Sequence, residues 1–226
     1  MNQIKAKTRR IVRLLEGRYG IPLREADANP LDVLIQTILS QNTNDRNRDL
    51  AYQRLKRQLP RWEDVLNARI GTILQAIRPG GLAGQKARRI KDLLRWIRER
   101  YGRLSLLPLK NMDSEEIKET LGTLKGIGLK TLHCLLLFGF NREAFPVDTH
   151  ILRVGKRLGF IPEGFGLEKA HRWMKPLIPK GKALSLHLNL IHFGRSICKA
   201  RNPQCTICFL RDECHLKNNY SHVPEL

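Results

Sequence analysis

Apolar positions recur at the three- and four-residue spacing of one helix face along almost the whole chain, and no stretch alternates apolar and polar as a half-buried strand does. The pattern predicts a first amphipathic helix over Thr8–Tyr19, with Ile11, Leu14 and Leu15 on one face and Gly20-Ile21-Pro22 ending it. A second begins after Asn29, with Pro30 suited to the first helical position, and runs through Leu31, Leu34, Ile35, Ile38 and Leu39 into a polar loop at Ser40–Asn44. Further helices are predicted at Arg46–Gln58, Arg61–Asn67, Ile70–Ile77, Gln85–Tyr101, Ser114–Thr123, Lys130–Phe138, Thr149–Leu158, Leu167–Leu177 and Lys182–Arg195. Turn signals separate them: Pro79-Gly80-Gly81, Gly102, Pro108, Gly126-Ile127-Gly128, Gly159, Pro162 with Gly164, and Pro179 with Gly181. The chain reads as all-α, without internal repeat or long linker.

Composition adds a partner to this picture. A chain of 226 residues, 42% of them hydrophobic, buries a sizeable core as one large domain or two small ones. Lys and Arg number 41 against 21 Asp and Glu, a net charge of +20, and the isoelectric point lies near 10.3. The excess runs through helical segments such as Arg9–Arg18, Arg46–Arg57 and Lys86–Arg103, which points to nucleic acid as partner; solvated basic faces and a heat-adapted surface are the competing readings. No run approaches the roughly 20 apolar residues of a membrane span, and Met1–Arg10 is too polar for a secretory signal, so a cytoplasmic protein is expected.

The most informative stretch is Leu121-Gly-Thr-Leu-Lys-Gly-Ile-Gly-Leu-Lys-Thr131, a helix, a tight turn and a second helix. Glycines at 126 and 128 allow positive φ and bare backbone, so Lys125, Gly126, Ile127 and Gly128 are candidates to grip a phosphate at the start of the next helix without reading sequence. An ordinary turn between helices needs just one such glycine. Lys130 falls in the first turn of the second helix, where the helix dipole and Lys125 disfavour its protonated form, as an amine nucleophile requires. Taken alone, such a lysine is more often a phosphate contact than a nucleophile, and the catalytic reading depends on a carboxylate partner. Asp148, in Phe145-Pro-Val-Asp-Thr-His-Ile151, precedes a helix and occupies the place of an N-cap; a carboxylate so fixed stays ionised and aimed. His150 beside it is a candidate phosphate contact or a structural residue, and His171, His187 and His192 read as helix packing.

Of five cysteines, four fall in Cys198-x6-Cys205-x2-Cys208-x5-Cys214, and Cys134 lies apart among leucines as core. Four local thiolates suit a metal centre in a reducing compartment. Zinc competes with an iron–sulfur cluster, although zinc sites usually present two close Cys pairs and just one exists here.

Leu124–Thr131 followed by Val147-Asp-Thr-His-Ile151 resembles the helix-hairpin-helix, Gly/Pro-rich loop and aspartate signature of the endonuclease III superfamily of DNA glycosylases, over nearly the whole chain. The resemblance implies two helical lobes flanking a DNA-binding cleft: a six-helix bundle at 25–135 with the hairpin, and a lobe formed by 1–24 and 136–226 with the cysteines, the active site lying between them. It implies that Lys130 attacks C1′ of the damaged nucleotide, expels the base and forms a Schiff base that undergoes β-elimination, while Asp148 helps activate the amine and stabilises positive charge on the sugar. It implies that Gln41 or Asn42, in Leu39-Ser-Gln-Asn-Thr-Asn-Asp45, fills the gap left by the extruded nucleotide. It makes the cysteines, by their spacing and C-terminal place, ligands of a 4Fe–4S cluster that holds the basic loop with Lys199, Arg201 and Arg211 against DNA. Four departures stand out: Lys125 replaces a usual proline, Leu129 a common arginine, Ser-Gln-Asn a frequent Ser-Ala-Gln, and Gly122 an acidic residue.

The function so implied is excision of damaged, oxidised pyrimidines from double-stranded DNA with cleavage at abasic sites, by a monomer associated with the nucleoid of a prokaryote. A thymine or uracil glycosylase acting on mismatches with guanine is the alternative within the class. The adenine branch lacks the lysine, and a non-catalytic DNA-binding iron–sulfur protein or a redox carrier are the alternatives outside the class.

Overall fold

The structure is a computed structural model that describes residues 1–24 and 28–215, and within them every regular element is helical. The chain divides into two compact units, one formed by Met1–Arg24 with the segment from Glu143 onward, the other by the intervening chain to Arg142. The start of the bundle at residue 25 and the end of the other lobe at 226, as read from the sequence, lie outside the described residues.

The bundle unit is organised on α2 (Pro30–Leu39), whose Leu31, Leu34, Ile35, Ile38 and Leu39 are all buried. Its start follows the sequence closely, because the Asn29 side chain accepts from the Leu31 amide at 2.9 Å and Pro30 needs no hydrogen bond there. Against it pack α3 (Asp45–Gln58), α6 (Ala83–Tyr101) and α8 (Leu129–Cys134), while α4 (Trp62–Asn67), α5 (Ile70–Ile77) and α7 (Ser114–Gly122) complete the unit. Among the described residues the unit therefore carries seven α-helices, against the six that the resemblance implies, α4 and α8 being six residues each. Trp62 fastens α4 to α2 by donating its indole N–H to Asp32 at 2.7 Å. On α6, Ala87, Ile90, Leu93, Leu94 and Ile97 face inward, and so does Lys86, a charge the hydrophobic pattern does not anticipate.

After α8 the helix loosens into a π-turn, Leu135–Gly139, that packs on α2. This moves the unit boundary from 135/136, as the sequence reading places it, to 142/143. A Cβ at Gly139 would sit 2.9 Å from Leu135 Cδ1 and 3.2 Å from Pro30 Cα, so the missing side chain lets the turn close on α2. Arg142 then donates to the carbonyls of Lys110 and Met112, which keeps 136–142 with the bundle.

The second unit joins α1 (Asn2–Tyr19) to α9 (Thr149–Arg157), α10 (Leu167–Met174) and α11 (Ala183–Ser196). Helix α1 begins six residues before the sequence reading has it; in its first turns, Asn2–Lys7, a lone Ile4 among polar residues and alanine is too sparse an apolar signal to mark the start. Glu16 of α1 accepts from Lys182 at 2.9 Å and from the Ser185 hydroxyl at 2.5 Å, and Asn189 donates to the Gly20 carbonyl at 3.0 Å, fixing α1 along α11.

Candidate active site and metal centre

In the bundle unit the hairpin is formed by α7, a turn closed by Leu124 N–H to Leu121 O and Ile127 N–H to Leu124 O (each 3.1 Å), and α8. An Asp113 capping box starts α7, and Ile127 is buried beneath the turn. Of the two hairpin glycines, Gly126 alone takes positive φ, at +89°. Gly128 is extended, with φ −92° and ψ 179°, and a Cβ there would meet nothing within 4 Å, so its value is bare backbone at an exposed N-cap. Lys125 is exposed. Lys130 is the second residue of α8, half-buried, and among the described residues its amine makes no hydrogen bond or ion pair.

The loop after α2 is brought against this hairpin. Gln41 donates its amide N–H to the Gly126 carbonyl at 2.9 Å and accepts from Arg89 of α6 at 2.7 Å. Asn42, next in the chain, is exposed and left-handed with φ 51°. Gln41 is thus occupied at both ends of its amide while Asn42 stands at the apex of the loop, a distinction the sequence leaves open.

In the other unit Asp148 caps α9, its carboxylate accepting from the Ile151 amide at 2.8 Å. Two histidines read from the sequence as mere packing hold the backbone in front of it. His171 of α10 accepts the Val147 N–H at 2.9 Å while its other ring nitrogen lies 2.8 Å from the Leu167 carbonyl, and His187 of α11 reaches the Pro146 carbonyl at 2.9 Å. Both rings are buried, and the periodicity that explains their burial carries no sign of these bonds. His150 is turned toward Arg153, 3.2 Å from its Nη2, and burial is the first cause of a lowered pKa that favours the neutral ring. Its nearest structural role is packing of α9 on α11.

Two arginines, one turn apart on α9, tie the aspartate's helix to the cysteine segment. Arg153 donates to the Gly194 carbonyl at 2.7 Å and the Cys198 carbonyl at 3.0 Å. Arg157 donates to the Lys199 carbonyl at 2.7 Å and lies 3.4 Å from Cys198 Sγ. Arg10 of α1 braces the far end of the segment through Glu213 at 2.8 Å.

The four thiols Cys198, Cys205, Cys208 and Cys214 line one cavity with Leu158, Phe193, Ile197 and Pro203, and none is in a disulfide. Among the described residues no three Cys, His, Asp or Glu side chains converge closely enough to hold a single ion. Four thiols spread around a shared apolar cavity suit a multi-iron cluster better than a mononuclear zinc site. Burial pushes the Cys208 thiol up to about 11, so it gives up its proton in exchange for a metal and not to water at neutral pH. When bound, the cluster supplies structural cross-linking of residues 198–214; the thiols hold it, and Arg157 stands beside the first of them. Cys134 is buried in the bundle, as the sequence implies.

No described helix is long and apolar enough to cross a membrane. Residues 198–214 match the iron–sulfur binding domain of endonuclease III. A protein of Arabidopsis thaliana provisionally named as a DNA glycosylase is 38% identical over 85% of this chain and 67% of its own length. Endonuclease III of Thermotoga maritima is 33% identical over 85% of this chain and 86% of its own. Solved structures of endonuclease III, one a non-covalent complex with DNA and one a trapped covalent intermediate, superpose with a TM-score of 0.82 at 28% identity, covering 95% of this chain and 97% of theirs. Residues 35–179 match the HhH-GPD superfamily base excision DNA repair protein family, and with the hairpin, the capped aspartate and the cysteine segment in place, the chain belongs to that family as an iron–sulfur DNA glycosylase of the endonuclease III type.

Proposed function

We propose that this glycosylase is bifunctional, removing damaged, oxidised pyrimidines from double-stranded DNA and then cleaving the strand at the abasic site. The observation that carries the reading is Lys130: a half-buried amine in the first turn of the hairpin's second helix, with no hydrogen bond or ion pair among the described residues. That the related endonuclease III has been trapped covalently on DNA supports an amine intermediate. In this reading the C1′–N bond of the damaged nucleotide breaks with its electron pair leaving on the base, which takes up a proton. Lys130 Nζ forms a bond to C1′ and loses a proton, and opening of the sugar ring gives the iminium. Loss of a C2′ proton expels the 3′ phosphate, and water then hydrolyses the iminium and returns the amine.

Asp148 supplies negative charge where the sugar turns positive, and the cap bond to Ile151 keeps it aimed. Lys125 and the turn backbone at 126–128 hold phosphates, and Asn42, not the tethered Gln41, enters the vacancy in the stack. His150 is assigned to packing and not to a phosphate. A panel of duplexes, each with one oxidised pyrimidine, a thymine or uracil opposite guanine, or an oxidised purine, tests this. Fastest excision at the oxidised pyrimidines, followed by strand cleavage without added alkali, is the expected result. Faster release of thymine or uracil from the mismatches overturns the pyrimidine-damage assignment, and base release without strand cleavage overturns the lyase assignment.

A further inference from the structure

Helix α6 carries two cations one turn apart, Lys86 and Arg89, and neither meets a carboxylate among the described residues. Lys86 is fully buried and donates to the carbonyls of Leu39 and Gly80, each at 2.7 Å. Leu39 is the last residue of α2, so its carbonyl is one the helix leaves unbonded, at the point where the loop 40–44 departs. Arg89 passes beneath the hairpin turn. A Cβ at Gly126 would lie 2.6 Å from Arg89 Cδ and 2.7 Å from its Cζ, and Arg89 Nε is buried without a hydrogen-bond partner among the described residues. From there Nη1 reaches Gln41 Oε1, and the Gln41 amide goes on to the Gly126 carbonyl. Burying the Lys86 ammonium and the Arg89 Nε without an anion is costly, and both side chains send a donor to the segment 39–41 that opens this loop.

We infer that Lys86 and Arg89 are positioning residues for base extrusion: Lys86 pins the start of the gap-filling loop, and Arg89, through Gln41, locks the middle of that loop to the hairpin turn. Gln41 is then a strut and Asn42 the residue that enters the stack. The turn that holds the backbone sets the depth to which the apex of the loop reaches, so the two act as one rigid piece. This rests on the glycosylase reading above.

The test uses the full, cluster-loaded chain and two substrates: a duplex with one oxidised pyrimidine, and a duplex in which an abasic nucleotide is bulged with no base opposite, so that no vacancy needs filling. Single-turnover excision is measured for wild type, Arg89→Ala, Arg89→Lys, Gln41→Ala, the Arg89→Ala/Gln41→Ala double variant and Asn42→Ala. Arg89→Ala and Gln41→Ala are expected to slow excision by about tenfold or more, the loss that follows from slight misplacement of a reacting group. The double variant is expected to be no slower than either single, as two members of one strut must be. Arg89→Lys keeps the charge without the guanidinium fork and is expected to be slow as well. Borohydride trapping on the bulged abasic duplex is expected to be unchanged in Arg89→Ala. The inference is overturned if Arg89→Ala excises at the wild-type rate, if it loses bulge trapping to the same degree as excision, or if the losses in the double variant multiply. It is overturned for the apex if Gln41→Ala is slow while Asn42→Ala is normal. A wild type that excises nothing from any duplex overturns the glycosylase reading and is distinguishable from all of these.

Discussion

Asp148 caps α9, and the charge-stabilising role proposed for it is separable from that cap by a pair of substitutions. In the structure its carboxylate accepts a 2.8 Å hydrogen bond from the Ile151 amide at the start of α9, and it sits half-exposed at the positive end of that helix. Asparagine caps as well as aspartate, so Asp148→Asn keeps the bond and loses the charge–dipole attraction alone, about 0.3–1 kcal/mol of stability. Asp148→Ala loses the cap too, about 1–2 kcal/mol in total. Activity follows the charge and not the cap: losing one preorganised electrostatic stabiliser of the transition state costs about 10²–10³ in rate, or roughly 3–4 kcal/mol. Urea unfolding read by helix circular dichroism gives the first quantity, and single-turnover excision from a damaged-pyrimidine duplex gives the second. The expected result is two variants of different stability and equally depressed activity. An asparagine variant within about threefold of the wild-type rate would leave Asp148 as a cap and nothing more, because less than a decade corresponds to under about 1.4 kcal/mol.

Gly126→Ala is expected to destabilise the bundle by about 3 kcal/mol: roughly 1–2 for a side chain at φ +89° and about as much for the Arg89–Gln41 bond that the new methyl displaces, measured by denaturant unfolding. Lys86 is pushed down from 10.5 to about 8, by burial first and by Arg89 second. Between those two values the unfolded chain holds a proton that the folded chain has released, so stability contributed by this site rises with pH across the window, and Lys86→Met flattens that rise in unfolding curves taken at about pH 7 and about pH 10. Purified protein is expected to carry iron and acid-labile sulfide instead of zinc, and Cys208→Ser to lower the iron content and to speed hydrogen exchange in α9 and α11 while leaving α2 and α6 protected.

The helices themselves were written in periodicity and caps, which is why α2, α5 and α3 begin and end within a residue of the positions read from the chain. The places of Lys130, Asp148 and the four cysteines are legible because each sits in a local pattern: a turn followed by a helix, a cap before a helix, a dense cysteine run. What escaped was long-range. Lys86 falls on the inward stripe of α6, yet nothing nearby in the chain shows that carbonyls of Leu39 and Gly80 await it. Periodicity shows His171 and His187 as packing alone, because a buried bond to the backbone before Asp148 has no sequence counterpart. Periodicity does not show the boundary at 142/143, because a π-turn keeps the apolar run of α8 but changes where it packs. Gly126 and Gly128 look equivalent in sequence, and just one of them needs to be glycine for its backbone angle.

The central claim is that one amine, Lys130, makes a covalent bond to the sugar. Borohydride reduction of the protein mixed with a duplex bearing a single abasic site addresses it directly, with the adduct resolved on a denaturing gel and its attachment point located by peptide mass. The expected result is a stable protein–DNA adduct carried on Lys130 and absent from a folded, DNA-binding Lys130→Ala variant. An undiminished adduct in that variant, or no adduct in a wild type that still releases damaged bases, contradicts the account.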